Sequence, residues 1–187
     1  KPAVPSAMMT DINQTSAPFN DPSGTGAADR GTFRFAVVGL GQISQQAFVP
    51  AIRSLPDAEI TAVVTGSEEK AGAVSDDVAV YGYDDFPELL ASGDIDAAYV
   101  ATPVFRHREF AEPALEAGIH VLLEKPMADS VADCEAMIAA SRRSGATLMV
   151  AYRMHQDAYM VELADLVARG AVGETRTFTS TFTHDIE

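Results

Sequence analysis

The stretch Phe33-Arg34-Phe35-Ala36-Val37-Val38-Gly39-Leu40-Gly41-Gln42-Ile43-Ser44 decides the fold of this chain. It begins as an apolar run and ends in a Gly-x-Gly turn followed by a helical pattern, which is typical of a buried parallel strand that leads into a dinucleotide-binding helix. Gly39 is expected to permit the tight turn, and Gly41 to let the backbone approach a pyrophosphate. The free N–H groups of Gln42 and Ile43, which open the next helix, would bind the phosphate oxygens.

Ser44 stands where the third glycine of this pattern is expected. Its side chain is small enough for close packing of helix on strand, but the match to the pattern is weaker. Turns often contain glycine without any ligand, so the Gly-x-Gly turn needs support from the rest of the chain.

Length, composition and charge limit the class of protein. The 187 residues allow one domain and part of a second, and 47% hydrophobic residues support a sizeable core. No apolar run approaches the ~18–20 residues that span a bilayer, so no membrane insertion is expected. A net charge of −14 argues against a nucleic-acid partner, whose phosphates it would repel.

The charged residues are mostly acidic, and lysine occurs only at positions 1, 70 and 125. Acidic surfaces that are poor in lysine suit proteins in concentrated salt, where screening removes the self-repulsion. An ordinary acidic enzyme explains the same composition, and the sequence leaves these two interpretations open.

Residues 1–31 are rich in Pro, Ser, Thr, Asn, Asp, Gly and Ala without an apolar period, which predicts a flexible tail. The segment has neither a charged start with an apolar core nor paired arginines, so no secretory signal is expected. The single cysteine, Cys134, excludes a disulfide within the chain and favours a reducing compartment. We therefore expect a cytoplasmic protein, with Cys134 in the core.

From Phe33 onward, apolar β-branched runs alternate with helical patterns. This alternation predicts a Rossmann-type α/β domain over residues 32–152, in which helices cover both faces of a doubly wound parallel sheet. The expected strands are Phe33–Val38, Ile60–Thr65, Ala97–Ala101, Ile119–Leu123 and Thr147–Ala151. The expected helices lie near Ile43–Leu55, Phe86–Ala91, Arg106–Ala117 and Ser130–Ser144. Gly118 and Gly145 are expected to cap helices, whereas Pro50 and Pro113 should kink a helix or delay its start.

Two further elements are expected after this domain. The apolar spacing predicts a helix from about Asp157 to Arg169, and Thr175–Thr183 alternates and is rich in threonine, as a strand is. Because a lone strand needs partners, residues 153–187 are interpreted as a connecting helix and the first strand of a second domain.

The end of the second predicted strand indicates which dinucleotide to expect. NAD sites usually place Asp or Glu there to bind the ribose 2′-hydroxyl, whereas this chain has Thr65 or Gly66. Ser67 and Lys70 could bind a 2′-phosphate instead, so we expect NADP rather than NAD. The two glutamates after Ser67 oppose this preference, and a solvent-exposed helix position is the alternative for Lys70.

Two further groups of residues follow predicted strands, where parallel sheets bind their ligands. Lys125 follows the strand Ile119–Leu123. Burial there would lower the pKa of the side chain, which could then relay a proton or donate a hydrogen bond. A salt bridge to Glu124 is the alternative. Thr102-Pro103 ends another strand, and His107 could reach the same crevice or lie on a helix surface. The other histidines lack metal-ligand spacing, so no metal site is expected.

Four motifs together resemble the family of glucose–fructose oxidoreductases, inositol dehydrogenases and related sugar oxidoreductases. They are Gly-Leu-Gly at 39–41, Thr102-Pro103 with His107, His120-Val-Leu-Leu-Glu-Lys-Pro-Met127, and Tyr152-Arg153-Met-His155. Their order and spacing are similar to the family's over residues 33–187. The run Val64-Thr-Gly-Ser-Glu-Glu-Lys-Ala71 and the tract 152–157 are most similar to the glucose–fructose oxidoreductase branch, which uses NADP.

The resemblance implies a Rossmann domain followed by an α/β domain with a mostly antiparallel sheet, which often forms homo-oligomers. Lys125 would be the active-site lysine. The residues that would line the cofactor crevice or adjoin the nicotinamide are Ala101, Thr102, Pro103, His107, Glu124, Pro126 and Arg153. Val104 stands where members often carry Asn, and the family's proton-transfer Asp, His or Tyr would lie beyond Glu187.

These features predict the cofactor-binding half of an NADP-dependent oxidoreductase for a small sugar. A hydride would pass between C1 of an aldose and the nicotinamide, while Lys125 orients the reacting hydroxyl. Two alternatives are a non-catalytic NAD(P)-binding sensor or partner module and an NAD-dependent dehydrogenase of the inositol type.

Overall fold

A parallel β-sheet forms the centre of the chain. The computed structural model describes residues 31–72, 74, 77–181 and 183, so the predicted tail lies outside the described residues apart from Gly31. Within this part, the strands are β1 (Phe33–Val38), β2 (Ala58–Val64), β3 (Ala79–Tyr81), β4 (Ala97–Val100), β5 (His120–Leu123) and β6 (Leu148–Val150). They form one six-stranded sheet in the order β3-β2-β1-β4-β5-β6, in which every pair is parallel. The predicted doubly wound α/β fold is confirmed.

Helices connect the strands and extend beyond the last one. They are α1 (Val49–Arg53), α2 (Glu68–Gly72), α3 (Phe86–Ser92), α4 (His107–Glu116), α5 (Val131–Ser144) and α6 (Ala158–Ala168). At the start of α5 the Ser130 hydroxyl accepts a hydrogen bond from the N–H of Asp133. Gly118 and Gly145 follow α4 and α5 with φ of +81° and +77°, which confirms both predicted glycine caps.

The two prolines occupy different positions in their helices. Before α1 the chain makes a π-helical turn over Ser44–Phe48, in which the Val49 N–H bonds to the Ser44 carbonyl. Pro50 follows at once and cannot donate back to this wide turn, so the regular helix starts late. Pro113 lies inside α4, which continues past it to Glu116.

The sheet separates two apolar clusters because successive strand residues point to opposite faces. Ala36 and Val38 of β1 belong to the cluster that includes Phe110 of α4. Val37 lies between them in the chain and belongs to the other cluster, together with Phe48 ahead of α1. Burial on both faces explains why residues 35–38 of β1 read as an uninterrupted apolar run.

The predicted helix Asp157–Arg169 is confirmed as α6. The Asp157 carboxylate caps it by accepting the N–H groups of Tyr159 and Met160. Its apolar stripe is uncovered in the described part of the chain: Tyr159 is 82% exposed and Val167 42%. Among the described residues no helix is both long and apolar enough to cross a membrane.

Three expectations differ from the structure. The strand expected at Thr175–Thr183 is wrong, because residues 175–181 and 183 form neither helix nor strand. A strand needs a neighbour for its backbone groups, and no described strand pairs with this segment. The sequence patterns also missed α2 and β3, and Cys134 is half-buried rather than in the core.

Candidate functional site

The segments that follow β1, β4 and β5 form one continuous edge of the sheet. The N–H of Gly39 donates to the last residue of β2 at 2.9 Å, and that of Ala101 to the last residue of β1 at 2.8 Å. The N–H of Glu124 donates in the same way to the last residue of β4 at 2.9 Å. Adjacent strands lie ~5 Å apart. Residues after these strands are therefore brought together at the carboxyl edge, where open parallel sheets bind ligands.

Gly39 makes the sharp turn out of β1 and contacts the next segment closely. Its φ is +93°, and a Cβ placed there would lie 2.8 Å from the Ala101 carbonyl oxygen and 3.1 Å from the Thr102 nitrogen. A larger residue would therefore meet both backbone strain and a steric clash. The elbow (Gly39–Gly41) depends on glycine at this position.

Ser44 fixes the elbow to the helix that follows it. The Ser44 side chain is fully buried, and its hydroxyl donates a 2.6 Å hydrogen bond to the Gly39 carbonyl. The sequence predicts only that Ser44 is small, whereas the structure shows that its hydroxyl also forms a hydrogen bond with the turn. By contrast, a Cβ at Gly41 would meet nothing within 4 Å, so this side of the elbow faces open space.

This open space fits the diphosphate of a dinucleotide. Gln42 and Ile43 are exposed and begin the helix beside Gly41. The first N–H groups of a helix have no partner within it, and they attract anions together with the helix dipole. At the same edge Thr102 Oγ1 is buried and has no hydrogen-bond partner among the described residues, so a bound group could satisfy it.

The residues after β2 make local hydrogen bonds. Thr65 is buried, and its Oγ1 accepts the N–H of Ser67 at 3.2 Å. The Ser67 hydroxyl accepts the N–H of Lys70 at 3.4 Å and can still donate its own hydrogen to a ligand. Lys70 is exposed on α2. This position agrees both with binding of a 2′-phosphate and with a purely solvent-exposed cation on the helix.

Sequence patterns missed Tyr83, which adjoins the end of β2, and Arg106, which stacks on it. A Cβ at Gly66 would lie 3.7 Å from Cε2 of Tyr83. The guanidinium carbon of Arg106 lies 4.5 Å from the centroid of that same ring. No local pattern could signal this group, because three different strand-end segments contribute to it.

His107 is buried rather than on a helix surface. Its ring is 1% exposed, with Nε2 3.0 Å from the Thr102 carbonyl oxygen and Nδ1 3.2 Å from that of Met127. Both ring nitrogens face backbone carbonyls, and a role of His107 at the cofactor crevice stays a prediction. The ring joins the segment after β4, including the exposed Pro103, to the segment after β5.

Lys125 lies at the edge but is exposed, so the expected burial is not found. The Glu124 carboxylate accepts the Tyr99 hydroxyl at 2.8 Å and the backbone N–H of Lys125 at 3.1 Å. The alternative of a Lys125–Glu124 salt bridge does not hold, since the ammonium makes no ion pair with any described residue. The Lys125–Pro126 peptide bond is cis. Because the ammonium is exposed and has no ion pair with a described residue, it can act on a ligand.

Arg153 opens a short 3₁₀ turn, Arg153–Gln156, that follows β6 and is exposed near the same edge. The carboxyl edge thus carries two exposed cations, Lys125 and Arg153, on the side of β5 and β6. In the described part of the chain, no group of three or more His, Cys, Asp or Glu side chains could hold a metal ion.

Comparison with known proteins matches the chain to a family. The model of the oxidoreductase family with an NAD-binding Rossmann fold matches residues 33–152. The dTDP-3,4-didehydro-2,6-dideoxy-alpha-D-glucose 3-reductase of Streptomyces violaceoruber is 38% identical over 80% of this chain and 44% of its own. The D-xylose 1-dehydrogenase [NADP(+)] of Haloarcula marismortui is 34% identical over 75% of this chain and 40% of its own.

A solved structure agrees with these matches. The aldose-aldose oxidoreductase from Caulobacter crescentus superposes with a TM-score of 0.70 at 37% identity, covering 76% of this chain and 44% of that one. The chain spans less than half the length of each of these three relatives.

Proposed function

Because this chain belongs to the oxidoreductase family with an NAD-binding Rossmann fold, which includes sugar dehydrogenases and sugar ketoreductases, we propose that it is the cofactor-binding part of an NADP-dependent sugar oxidoreductase. One observation carries the proposal: the glycine elbow after β1 and Lys125 after β5 share one edge of the sheet. A single strand, β4, separates β1 from β5. A dinucleotide held by its diphosphate at the elbow can therefore extend toward the lysine.

The chain's own residues would bind and orient the reactants. The N–H groups at 41–43 hold the diphosphate, and the Ala101–Pro103 segment lies against the elbow. The bound nicotinamide supplies hydride transfer. Lys125 would donate a hydrogen bond to the reacting sugar oxygen and so stabilise its deprotonated form, while the proton would pass to or from a base in the proposed second domain. Glu124 fixes the backbone from which Lys125 extends.

Three features support NADP as the cofactor. No carboxylate occupies Thr65 or Gly66, where NAD sites usually bind the ribose 2′-hydroxyl. Ser67 and Lys70 follow directly with groups that suit a 2′-phosphate. A relative that is 34% identical carries NADP(+) in its name. NAD is the alternative, and it would suit a dehydrogenase of the inositol type.

The preferred substrate is an aldose oxidised at C1, in keeping with the relatives named as aldose enzymes. A specific observation favours a second candidate, the reduction of a keto group on a sugar ring. The relative at 38% identity is named as a 3-reductase of a nucleotide-linked keto sugar. Both reactions use the same hydride transfer and the same lysine, and they differ in direction and in the carbon that reacts.

We also propose that the whole protein is cytoplasmic and forms a homo-oligomer through a second domain that begins near residue 153. Light scattering after size exclusion tests the oligomer, and a monomeric full-length protein would contradict it.

The function is tested in two steps. Calorimetric titration with NADP and NAD measures cofactor binding, and we expect NADP to bind more tightly. Turnover is then assayed in the full-length protein with NADP and a panel of aldoses, and with NADPH and a keto sugar. Binding without turnover of any sugar would favour the non-catalytic sensor, and tighter binding of NAD would contradict the choice of cofactor.

A further inference from the structure

We infer that Arg106 binds the 2′-phosphate of the adenosine ribose and thereby selects NADP over NAD. The inference rests on the proposed function and adds to it a specificity-determining residue that comes from the segment after β4. It starts from the stacking of the guanidinium group on Tyr83, whose ring adjoins Gly66 after β2.

Two aromatic rings hold the Arg106 guanidinium in a fixed place. Its carbon lies 4.5 Å from the centroid of the Tyr83 ring and 4.8 Å from that of Phe110. Phe110 is 1% exposed, and the two rings are themselves 5.5 Å apart. A guanidinium stacked on aromatic faces is oriented before any ligand binds, so little side-chain freedom is lost on binding.

The Tyr83 ring connects the fixed guanidinium to the position that reads the ribose. Gly66 follows the end of β2, and a Cβ there would lie 3.7 Å from the Tyr83 ring. This is where an NAD-specific site would place its carboxylate. The Tyr83 ring therefore contacts both this position and the Arg106 guanidinium. An NAD-specific site would have a carboxylate here that repels a phosphate, whereas this chain has a cation stacked on the neighbouring ring.

Arg106 retains donor groups for a ligand. Glu109 accepts from Nε at 2.8 Å and from Nη2 at 2.7 Å, and Nη1 makes no hydrogen bond with any described residue. The side chain is 28% exposed, so the group remains accessible. Glu109 thus engages two of the three guanidinium nitrogens, and arginine suits phosphate oxygens through the donors that remain.

Lys70 and Arg106 adjoin residues that pack on opposite faces of the sheet. Ala71, next to Lys70 on α2, belongs to one apolar cluster. Tyr83, on which Arg106 stacks, packs against the other. A phosphate at the end of β2 would therefore have one cation on each side.

A purely structural role makes a different prediction. Arg106 also covers Phe110 and forms an ion pair with Glu109 at the start of α4. If this were its whole role, its loss would lower stability and would weaken NADP and NAD binding to the same degree. The ratio of the two affinities separates the two roles.

The test measures binding of cofactor fragments by calorimetry. The probes are 2′,5′-ADP and 5′-AMP, which differ in the 2′-phosphate, together with NADP and NAD. For Arg106→Leu we expect 2′,5′-ADP and NADP to bind about tenfold more weakly or worse, because a charge-assisted hydrogen bond is lost, while 5′-AMP and NAD change less than about twofold. Arg106→Lys keeps the charge without the planar stack and should fall between the two. Arg108→Leu is the matched control, since Arg108 pairs with Glu112 and Asp133 instead.

The outcomes are separable. A wild-type protein that binds 2′,5′-ADP no more tightly than 5′-AMP contradicts the proposed NADP function itself. A wild-type preference for 2′,5′-ADP that Arg106→Leu leaves unchanged overturns only the role of Arg106. Circular dichroism checks that each variant is folded. If Arg106→Leu does not fold, Arg106→Lys decides, and an unchanged preference in that variant overturns the inference.

Discussion

The hydroxyl of Tyr99 donates a 2.8 Å hydrogen bond to the carboxylate of Glu124, the residue directly before Lys125. Tyr99 is 2% exposed in β4, and its ring stacks on Phe48 with centroids 3.8 Å apart. The apolar core thus fixes Glu124, whose second oxygen accepts the N–H of Lys125. This chain of contacts ties the backbone at Lys125 to the interior of the domain.

Replacing Tyr99 by phenylalanine should change how stability responds to alkaline pH. Burial, and then the bond to Glu124, raise the pKa of Tyr99 far above its ordinary value of 10.0. An unfolded tyrosine ionises near that pH while the folded one stays neutral, so the folded state loses stability as pH rises above about 10. Urea unfolding from pH 8 to 11 should show a smaller decline in Tyr99→Phe. At neutral pH the variant should lose ~1 kcal/mol with the hydrogen bond. An equal alkaline decline in both proteins would contradict this account.

The two glycines of the elbow should respond differently to alanine. Gly39→Ala forces a Cβ to within 2.8 Å of the Ala101 carbonyl at positive φ, so we expect a loss of ~2 kcal/mol or more of folding free energy. Gly41→Ala meets nothing within 4 Å and should leave stability nearly unchanged. It should weaken NADP binding by about tenfold or more, because the methyl group enters the space assigned to the diphosphate. Thermal unfolding and calorimetry measure the two effects. A Gly41→Ala variant with unchanged NADP affinity would place the diphosphate elsewhere.

Loss of the His107 ring should loosen the two segments that it joins. His107→Ala leaves a cavity and removes a partner from the carbonyls of Thr102 and Met127, for an expected cost of ~2–4 kcal/mol in urea unfolding. Amide hydrogen exchange should speed up in the segment after β5 more than in β1. Uniformly faster exchange throughout the domain would show that the ring supports the core in general.

Acid should weaken the start of β1. The side chain of Arg34 donates to both carboxylate oxygens of Asp96, at 3.1 and 2.8 Å. This hydrogen bonding to Arg34 holds the pKa of Asp96 below its ordinary value of 3.8. The stabilisation is therefore present above that pH and is lost as pH falls through the lowered value. Asp96→Asn should be less stable than the wild type at pH 6, and the difference should shrink below pH 4. A difference that does not depend on pH would contradict the assignment.

Salt should stabilise the folded chain if its acidic surface is adapted to concentrated salt. At a net charge of −14, screening should relieve self-repulsion, so the midpoint of thermal unfolding should rise from low salt to molar KCl. Sucrose at matched osmolality is the control for solvent exclusion. A midpoint that does not rise in molar KCl would leave an ordinary acidic enzyme as the explanation.

The fold could be predicted where the apolar pattern was long or buried. The predicted strands within residues 33–151 correspond to β1, β2, β4, β5 and β6, since each is a short apolar run between helical patterns. The elements β3 and α2 have three and five residues, which is too few to show a period. Thr175–Thr183 has the composition of a strand, but its pairing depends on a neighbour that a local pattern cannot supply.

Sequence patterns could predict which backbone segments form the candidate site, but not how the side chains pack there. Motifs located the elbow and Lys125, because both directly follow strands. They did not indicate that Lys125 is exposed or that the His107 ring joins two segments, since both facts depend on tertiary packing. Tyr83 and Arg106 were missed for the same reason. The hydrogen bond from Ser44 to Gly39 explains why this chain can dispense with a third glycine.

The most direct test of the central claim is a crystal structure of the protein with NADP bound. We expect the diphosphate to accept hydrogen bonds from the N–H groups at 41–43 and the nicotinamide ring to lie beside the Lys125 ammonium. A diphosphate bound away from the elbow, or a nicotinamide well beyond the reach of Lys125, would contradict the account.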